Sequence, residues 1–308
     1  MLKVAIIGCG NIAGGYDKHS RQNDFYTHVK AYKANKYCRV TAVFDTDPQA
    51  VQNFTSTWKI DKGYTNLSQM LEESKPDVVS ICSPNQFHCE QIRLCVDAGV
   101  KTILCEKPIS YKLTEAKKAI SYCKKKKVAL VVNYLRNWDD KFLELENELL
   151  KLRTGELLSV HVNYNKGVFH NASHFINFFT RSLGSVKKNI VIRKERSGND
   201  AFADFLLSFE KCPKVYFFNH SGQDSLITEL DFFFKSKRVR IENGGQAFIT
   251  DDYATGKRTK ENGTIHWCMK NVIDDVIEQA RGQKANASWT KNLEDTLTTT
   301  KICETIIH

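Results

Sequence analysis

Lys3-Val4-Ala5-Ile6-Ile7-Gly8-Cys9-Gly10-Asn11-Ile12-Ala13 is the stretch whose reading decides the fold of this chain. Lys3–Ile7 is apolar after its first residue and reads as a strand, and a helical pattern follows the glycines. Between them, Gly8 to Ala13 fits G-x-G-x-x-G/A. The first glycine makes the turn, the second lets backbone approach a pyrophosphate, and the small Ala13 lets helix and strand pack closely. Amides at the helix N-terminus then face the phosphates. Without its context the motif is weak; a strand before it and a helix after it make it a dinucleotide-binding turn. Cys9 within it reads as a small residue that fits a tight turn, rather than as a thiol activated by the helix end.

Outward from this turn, residues 1 to about 130 alternate apolar runs with helical patterns, the signature of parallel βαβ units. Strands are expected at Lys3–Ile7, Arg39–Phe44, Val78–Ile81, Thr102–Leu104 and Val128–Val132, with helices at Leu67–Glu73, Cys89–Ala98 and Thr114–Lys125. Ser110 and Thr114 sit where helix starts want side-chain oxygens, and Gly99 follows a helix as a C-cap does. Beyond residue 155 the strands lengthen and alternate: Leu157–Tyr164, Ala203–Phe209, Lys214–Asn219, Thr228–Phe234 and Arg238–Glu242. Helical patterns at His174–Thr180, Met269–Ala280 and Leu293–Ile307 accompany them. The fold class is α/β: a doubly wound parallel sheet over residues 1–125, then an α+β domain over 126–308 with a large, open, mostly antiparallel sheet.

Composition bounds the function. The 308 residues are 42% hydrophobic and 26% charged, as in a water-soluble globular protein of two domains. No apolar run approaches the roughly 20 residues of a membrane span, and the N-terminus reads as a strand rather than a secretory leader. A cytoplasmic location with no membrane partner is expected. The ten cysteines lack metal-ligand spacing and read as reduced thiols, so no metal is expected. The net charge of +10 suits anionic small ligands better than nucleic acid. Lys124-Lys125-Lys126-Lys127 closes a helix, where cations offset the dipole, and reads as a solvated end.

Further residues fall where ligands of a parallel sheet are held, at the carboxyl ends of strands. Asp45 ends the second strand, where an acid bonds ribose hydroxyls and repels a 2′-phosphate; this favours NAD over NADP. Asp47 reads as a helix cap. From Ala13 to Asp45 the spacing exceeds the usual roughly 20 residues. The excess is a polar insertion, Gly14–Thr27, which either borders the ligand mouth or forms a plain surface loop. Ser83-Pro84-Asn85 ends another strand and can border the nicotinamide half of the cofactor, with His88 at a helix start as a structural residue. Glu106-Lys107-Pro108 ends the run Thr102–Cys105, and Lys107 there can reach a ligand held by the first turn.

Together the Gly8 turn, Asp45, Ser83-Pro84-Asn85-x-x-His88 and Glu106-Lys107-Pro108 resemble the Gfo/Idh/MocA oxidoreductase family. The resemblance implies a Rossmann domain followed by an α/β domain whose open sheet forms subunit contacts, as in a homodimer or homotetramer. It implies Gly8, Gly10, Asn11, Ile12, Ala13, Asp45, Ser83, Pro84, Asn85, His88, Glu106 and Lys107 at the cofactor. Phe169–Asn177 stands where the family carries Asp-x-x-x-His-x-x-Asp, which places His174 on the catalytic histidine. His170 and Asn177 depart from the two acids. On a helical turn His170, Asn171, His174 and Asn177 would share one face.

Hydride transfer from a carbinol needs a group to take the hydroxyl proton, a role suited to His174. Lys107 would steady the same oxygen. Tyr134, Arg136, His170 and Asn171 are further candidates for substrate hydroxyls or phosphate, although Arg136 in a structural ion pair fits equally well. Asp139 and Asp140 read as solvated helix-start acids. The expectation is an NAD(P)-dependent dehydrogenase or reductase of a sugar, preferably a nucleotide sugar of surface polysaccharide synthesis. Two other readings stay open: a non-catalytic dinucleotide-binding regulator, and a lyase or glycosidase that uses tightly held NAD transiently.

Overall fold

The computed structural model describes residues 1–282 and 287–308. The chain divides into two compact units, Met1–Leu135 with His266–Leu297, and Arg136–Ile265 with Thr298–His308.

The first unit carries strands β1 (Leu2–Ile7), β2 (Cys38–Phe44), β3 (Lys62–Tyr64), β4 (Val78–Ile81), β5 (Thr102–Glu106) and β6 (Ala129–Asn133). They form one sheet in the order β3-β2-β1-β4-β5-β6, parallel throughout. The order reverses at β1, so a crevice opens outside the carboxyl ends of β1 and β4. The sequence boundary at 125/126 falls before β6, yet β6 pairs with β5 over five residues and belongs to this unit. Helices α1 (His28–Ala34), α2 (Pro48–Trp58), α3 (Leu67–Ser74), α4 (His88–Asp97) and α5 (Leu113–Lys126) connect the strands. Every residue of β4 and β5 is buried, as expected of strands with helices on both faces. Asp47 caps α2 by accepting from Gln49 N at 2.9 Å. Strand β3 lay outside the sequence reading because Lys62-Gly63-Tyr64 has no apolar run. Glycine in its middle lets α2 pack close, since a Cβ there would lie 2.3 Å from Val51 Cγ1.

The second unit begins with α6 (Asp140–Lys151), β7 (Leu157–Tyr164) and α7 (Ser173–Ser182). Then come β8 (Val186–Ser197), β9 (Asp200–Phe209), β10 (Val215–Asn219), β11 (Thr228–Phe234), β12 (Lys237–Glu242), β13 (Ala247–Asp252) and β14 (Arg258–Asn262). Their order is β14-β13-β12-β11-β7-β10-β9-β8, antiparallel except where β10 lies parallel to β7. Burial alternates along β9, so one face is core and the other open. On the core face Phe205 and Phe217 stack with centroids 4.3 Å apart, and Phe179 of α7 meets Phe217 and Phe232 edge-on. Burial of each such ring contributes about 2–3 kcal/mol. His161, Tyr216, Phe218 and Phe233 cluster on the open face. Strand β8 escaped the sequence reading because, as the sheet's edge, it is mostly exposed and charged.

Helices α8 (Cys268–Ala280) and α9 (Ala287–Ile307) close the chain. Among the described residues, no helix is long and apolar enough to cross a membrane. All ten cysteines are free thiols.

Candidate active site

Gly8, Gly10, Asn11, Ile12, Asp45, Ser83 and Pro84 line one cleft of about 530 Å³ in the first unit. Its floor is the turn after β1. Gly8 has φ +95°, and a Cβ there would lie 2.8 Å from the backbone of Cys82 and Ser83, so the loop after β4 closes directly upon it. At Gly10 a Cβ would meet nothing within 4 Å, which leaves room for a group to approach the backbone. Among the described residues the N–H groups of Gly10, Asn11 and Ile12 make no backbone bond. This donor set fits a pyrophosphate. Ala13 is buried behind the turn. Asp45 accepts from Cys9 N at 2.8 Å and from Asp47 N at 3.1 Å, which fixes its carboxylate at the cleft wall. The Cys9 thiol is pushed up to about 12 by burial and then by the Asp45 charge, so it is not an activated thiolate.

The insertion has a definite anatomy. His28 N donates to Ile12 O at 3.2 Å and Val29 N to Ala13 O at 3.0 Å. Each bond spans 16 positions where a continuous α-helix spans four, so twelve residues are looped out of the first helical turn. Removing twelve from the distance between Ala13 and Asp45 restores the usual spacing of about 20. Buried Asp17 clamps the loop by accepting from Tyr26 N, Thr27 N and Thr27 Oγ1 at 2.9, 2.7 and 2.7 Å.

At the end of β5 the Lys107–Pro108 peptide is cis. Glu106 is buried, and its Oε1 accepts from Asn133 Nδ2 at 2.6 Å and meets His28 Nε2 at 2.8 Å. His28 Nδ1 lies 3.1 Å from Ser80 Oγ, which also bonds Tyr32 OH at 2.8 Å. Burial pushes the Glu106 carboxyl up, but the His28 bond and charge, Asn133 and Lys107 outweigh it, and the group sits below the usual glutamate range. Lys107 thus projects, half-buried, from a strand end braced by buried polar groups. His28 and Asn133 carry no sequence motif of their own; strand pairing puts Asn133 opposite Glu106, and the contact from Nε2 at 2.8 Å reveals His28.

His88 is buried with Nδ1 2.9 Å from Pro108 O and Nε2 2.8 Å from Ser83 O. Burial lowers its pKa, the two carbonyls opposing. It braces the loop after β4 against the turn after β5. Asn85 opens a short 3₁₀ turn beside it and lies outside the lining of the cleft. Tyr134 is 1% exposed and forms part of the first unit's apolar core.

In the second unit the shared polar face does not form. Val168–Ala172 is a single π turn ahead of α7, and this widening alters the even helical spacing. His170 is exposed and His174 half-buried, whereas Asn171 and Asn177 turn into the core. Asn171 Nδ2 donates to Asn165 O and Ile227 O at 3.1 and 3.2 Å, and Asn177 Nδ2 to Thr299 Oγ1 at 3.1 Å. An acid does serve this turn, from elsewhere in the sequence: Asp200 of β9 accepts from Phe169 N at 2.9 Å and His170 N at 3.0 Å. Gly167 makes room for it, since a Cβ there would lie 1.9 Å from the Asp200 carboxylate. Arg136 lies between the rings of Phe142 and Phe175, at 5.3 and 4.6 Å, and donates to Gly244 O at 2.9 Å. Asp139 is fully buried rather than solvated, because it caps α6 through Phe142 N and accepts from Thr264 Oγ1.

A parallel sheet in 3-2-1-4-5-6 order with a glycine cradle at its switch point has counterparts among known proteins. Residues 2–134 match the model of the Gfo/Idh/MocA family, described as an oxidoreductase family with an NAD-binding Rossmann fold. Over these residues the chain is similar to that family. An uncharacterized oxidoreductase of Bacillus subtilis is 23% identical over 191 residues, 58% of this chain and 56% of that protein. A D-glucoside 3-dehydrogenase of Escherichia coli is 35% identical over 107 residues, 35% of this chain and 27% of its own length. The chain thus spans about half, or less, of the length of these curated relatives. Over nearly the whole chain, the fold is similar to that of a 3-ketoreductase from Actinomadura kijaniata solved with NADP and TDP-benzene. That match has a TM-score of 0.79 at 15% identity and covers 97% of this chain and 94% of the other. The likeness in fold therefore extends over the eight-stranded sheet, beyond the residues that the family model matches.

Proposed function

We propose that the protein is an NAD(P)-dependent dehydrogenase or reductase acting on a hydroxyl or ketone of a sugar-like substrate. The observation that carries this reading is the cleft over the Gly8 turn, with vacant amides on its floor and a fixed carboxylate, Asp45, on its wall. A nicotinamide dinucleotide, when bound, supplies or accepts the hydride. Gly10, Asn11 and Ile12 would hold its pyrophosphate through backbone N–H groups. Asp45 would accept from ribose hydroxyls and disfavour a 2′-phosphate, which makes NAD the preferred cofactor over NADP.

Lys107 would donate to the substrate oxygen and stabilise negative charge developing there. His174 would take up the hydroxyl proton or return it. The partner is a small molecule. A nucleotide sugar is our preferred substrate, supported by the net charge of +10 and by the TDP group in the Actinomadura structure. The apolar open face around His161, Tyr216, Phe218 and Phe233 suits contact between copies of the chain in a dimer or tetramer. Ten free thiols fit a reducing compartment, and we assign the protein to the cytoplasm.

The test is to follow NADH absorbance while screening sugars, inositols and nucleotide sugars. Lys107→Ala and His174→Ala should each lower kcat by roughly 10²–10³-fold. Unchanged rates in both variants would refute the assignment, and a strong preference for NADP would refute the role of Asp45.

A further inference from the structure

The glycine fingerprint makes no provision for Tyr16, yet this residue lines the cleft alongside Gly10, Asn11 and Ile12, with 60% of its surface exposed. Its backbone prolongs the cradle. Gly14 N and Gly15 N donate to Gly10 O at 3.2 and 3.3 Å, and Tyr16 N donates to Asn11 O at 3.1 Å. The loop is pressed against the turn, since a Cβ on Gly15 would lie 2.5 Å from Asn11 Oδ1. Both ends are fixed. Asp17, the next residue, clamps the returning chain at Tyr26 and Thr27. Further along, Phe25 N donates to His266 O at 2.7 Å and the Phe25 ring meets Trp267 at 5.6 Å. The twelve-residue excursion therefore places one phenol at the ligand surface on an anchored backbone.

We propose that Tyr16 is a cofactor-binding residue whose hydroxyl donates a hydrogen bond to the pyrophosphate of a bound dinucleotide. This rests on the reading of the cleft given above. The pyrophosphate is the partner because Tyr16 stands on the glycine side, where the vacant amides gather. Phe87 and Pro84, which also line the cleft, offer the apolar surface that suits a base. A neutral donor also adds a side-chain contact to a cradle otherwise built from backbone. Bonds from such a donor to a charged oxygen are stronger than those between neutral groups.

The experiment is a fluorescence titration of the 308-residue protein with NADH at fixed salt, wild type against Tyr16→Phe, with displacement by ADP-ribose and by adenosine. Loss of the hydroxyl should weaken NADH and ADP-ribose by about tenfold, leaving adenosine affinity and thermal unfolding unchanged. Tyr16→Phe binding NADH within about twofold of wild type would overturn the inference, taking the same bond energy as the yardstick. Equal weakening of adenosine would overturn it too, by assigning the contact to the nucleoside. Should wild type bind neither NADH nor NADPH, the reading of the cleft falls as well; wild-type binding with an unchanged variant removes Tyr16 alone.

Discussion

The turn over the first sheet and the turn that carries His174 solve similar problems by different means. At the first, backbone amides lie at the cleft, and the side chains that matter are those that are missing: Gly8 for the approach of Cys82, Gly10 for open space. At the second, two amides of the π turn are already taken by Asp200, and the polar side chains divide between solvent and core. The first is a set of backbone donors over open space, an arrangement that suits an anion. The second is a histidine platform whose helix start is satisfied internally. Backbone-built sites leave a spaced glycine signature in sequence, while side-chain platforms depend on partners distant in the chain.

Substitutions can break this contrast. The largest effect is expected for Gly8→Ala, which forces a Cβ against the Cys82–Ser83 backbone at a positive φ. A loss of about 3 kcal/mol in urea unfolding is expected, together with loss of NADH binding. Wild-type stability would show that the loop after β4 yields.

His28→Ala comes next. It strips a buried carboxylate of its His28 partner, leaving Asn133, and should cost about 3 kcal/mol at pH 7. The sign with pH follows from the lowered carboxyl of Glu106. Its stabilising contribution is complete above the unfolded value, about 4.3, and drains away as pH falls through the folded one. In the variant, burial is left to raise the carboxyl, so unfolding measured at pH 7, 5 and 4 should show a shallower acid-side decline than wild type. Parallel pH profiles would contradict this.

Asp200→Ala should have a smaller effect, about 1–2 kcal/mol, through two lost amide bonds at the π turn. NADH affinity should be unaffected. A drop in NADH affinity with no loss of stability would sink the assignment of Asp200 to structure.

These expectations also mark what the sequence could carry. The parallel βαβ alternation, Asp47 as a cap, and the strands Leu157–Tyr164 and Thr228–Phe234 were legible because burial periodicity and turn chemistry are local. Strands β3 and β8 were not, since an exposed edge strand lacks an apolar period. The excess spacing after Ala13 was visible, but its cause needed the bonds from His28 and Val29 back to Ile12 and Ala13. Asp139 could be read as a helix-start acid, yet its burial follows from Thr264, far along the chain. The same holds at Glu106, where two of the three residues of the polar brace come from other elements.

The most direct test of the anion cradle is Gly10→Val, because its Cβ enters space that no protein atom occupies. Thermal unfolding should stay at the wild-type value while NADH affinity falls about a hundredfold, consistent with a blocked hydrogen-bonded anion site. Undiminished NADH binding in a folded variant would show that the dinucleotide does not lie over the Gly8 turn.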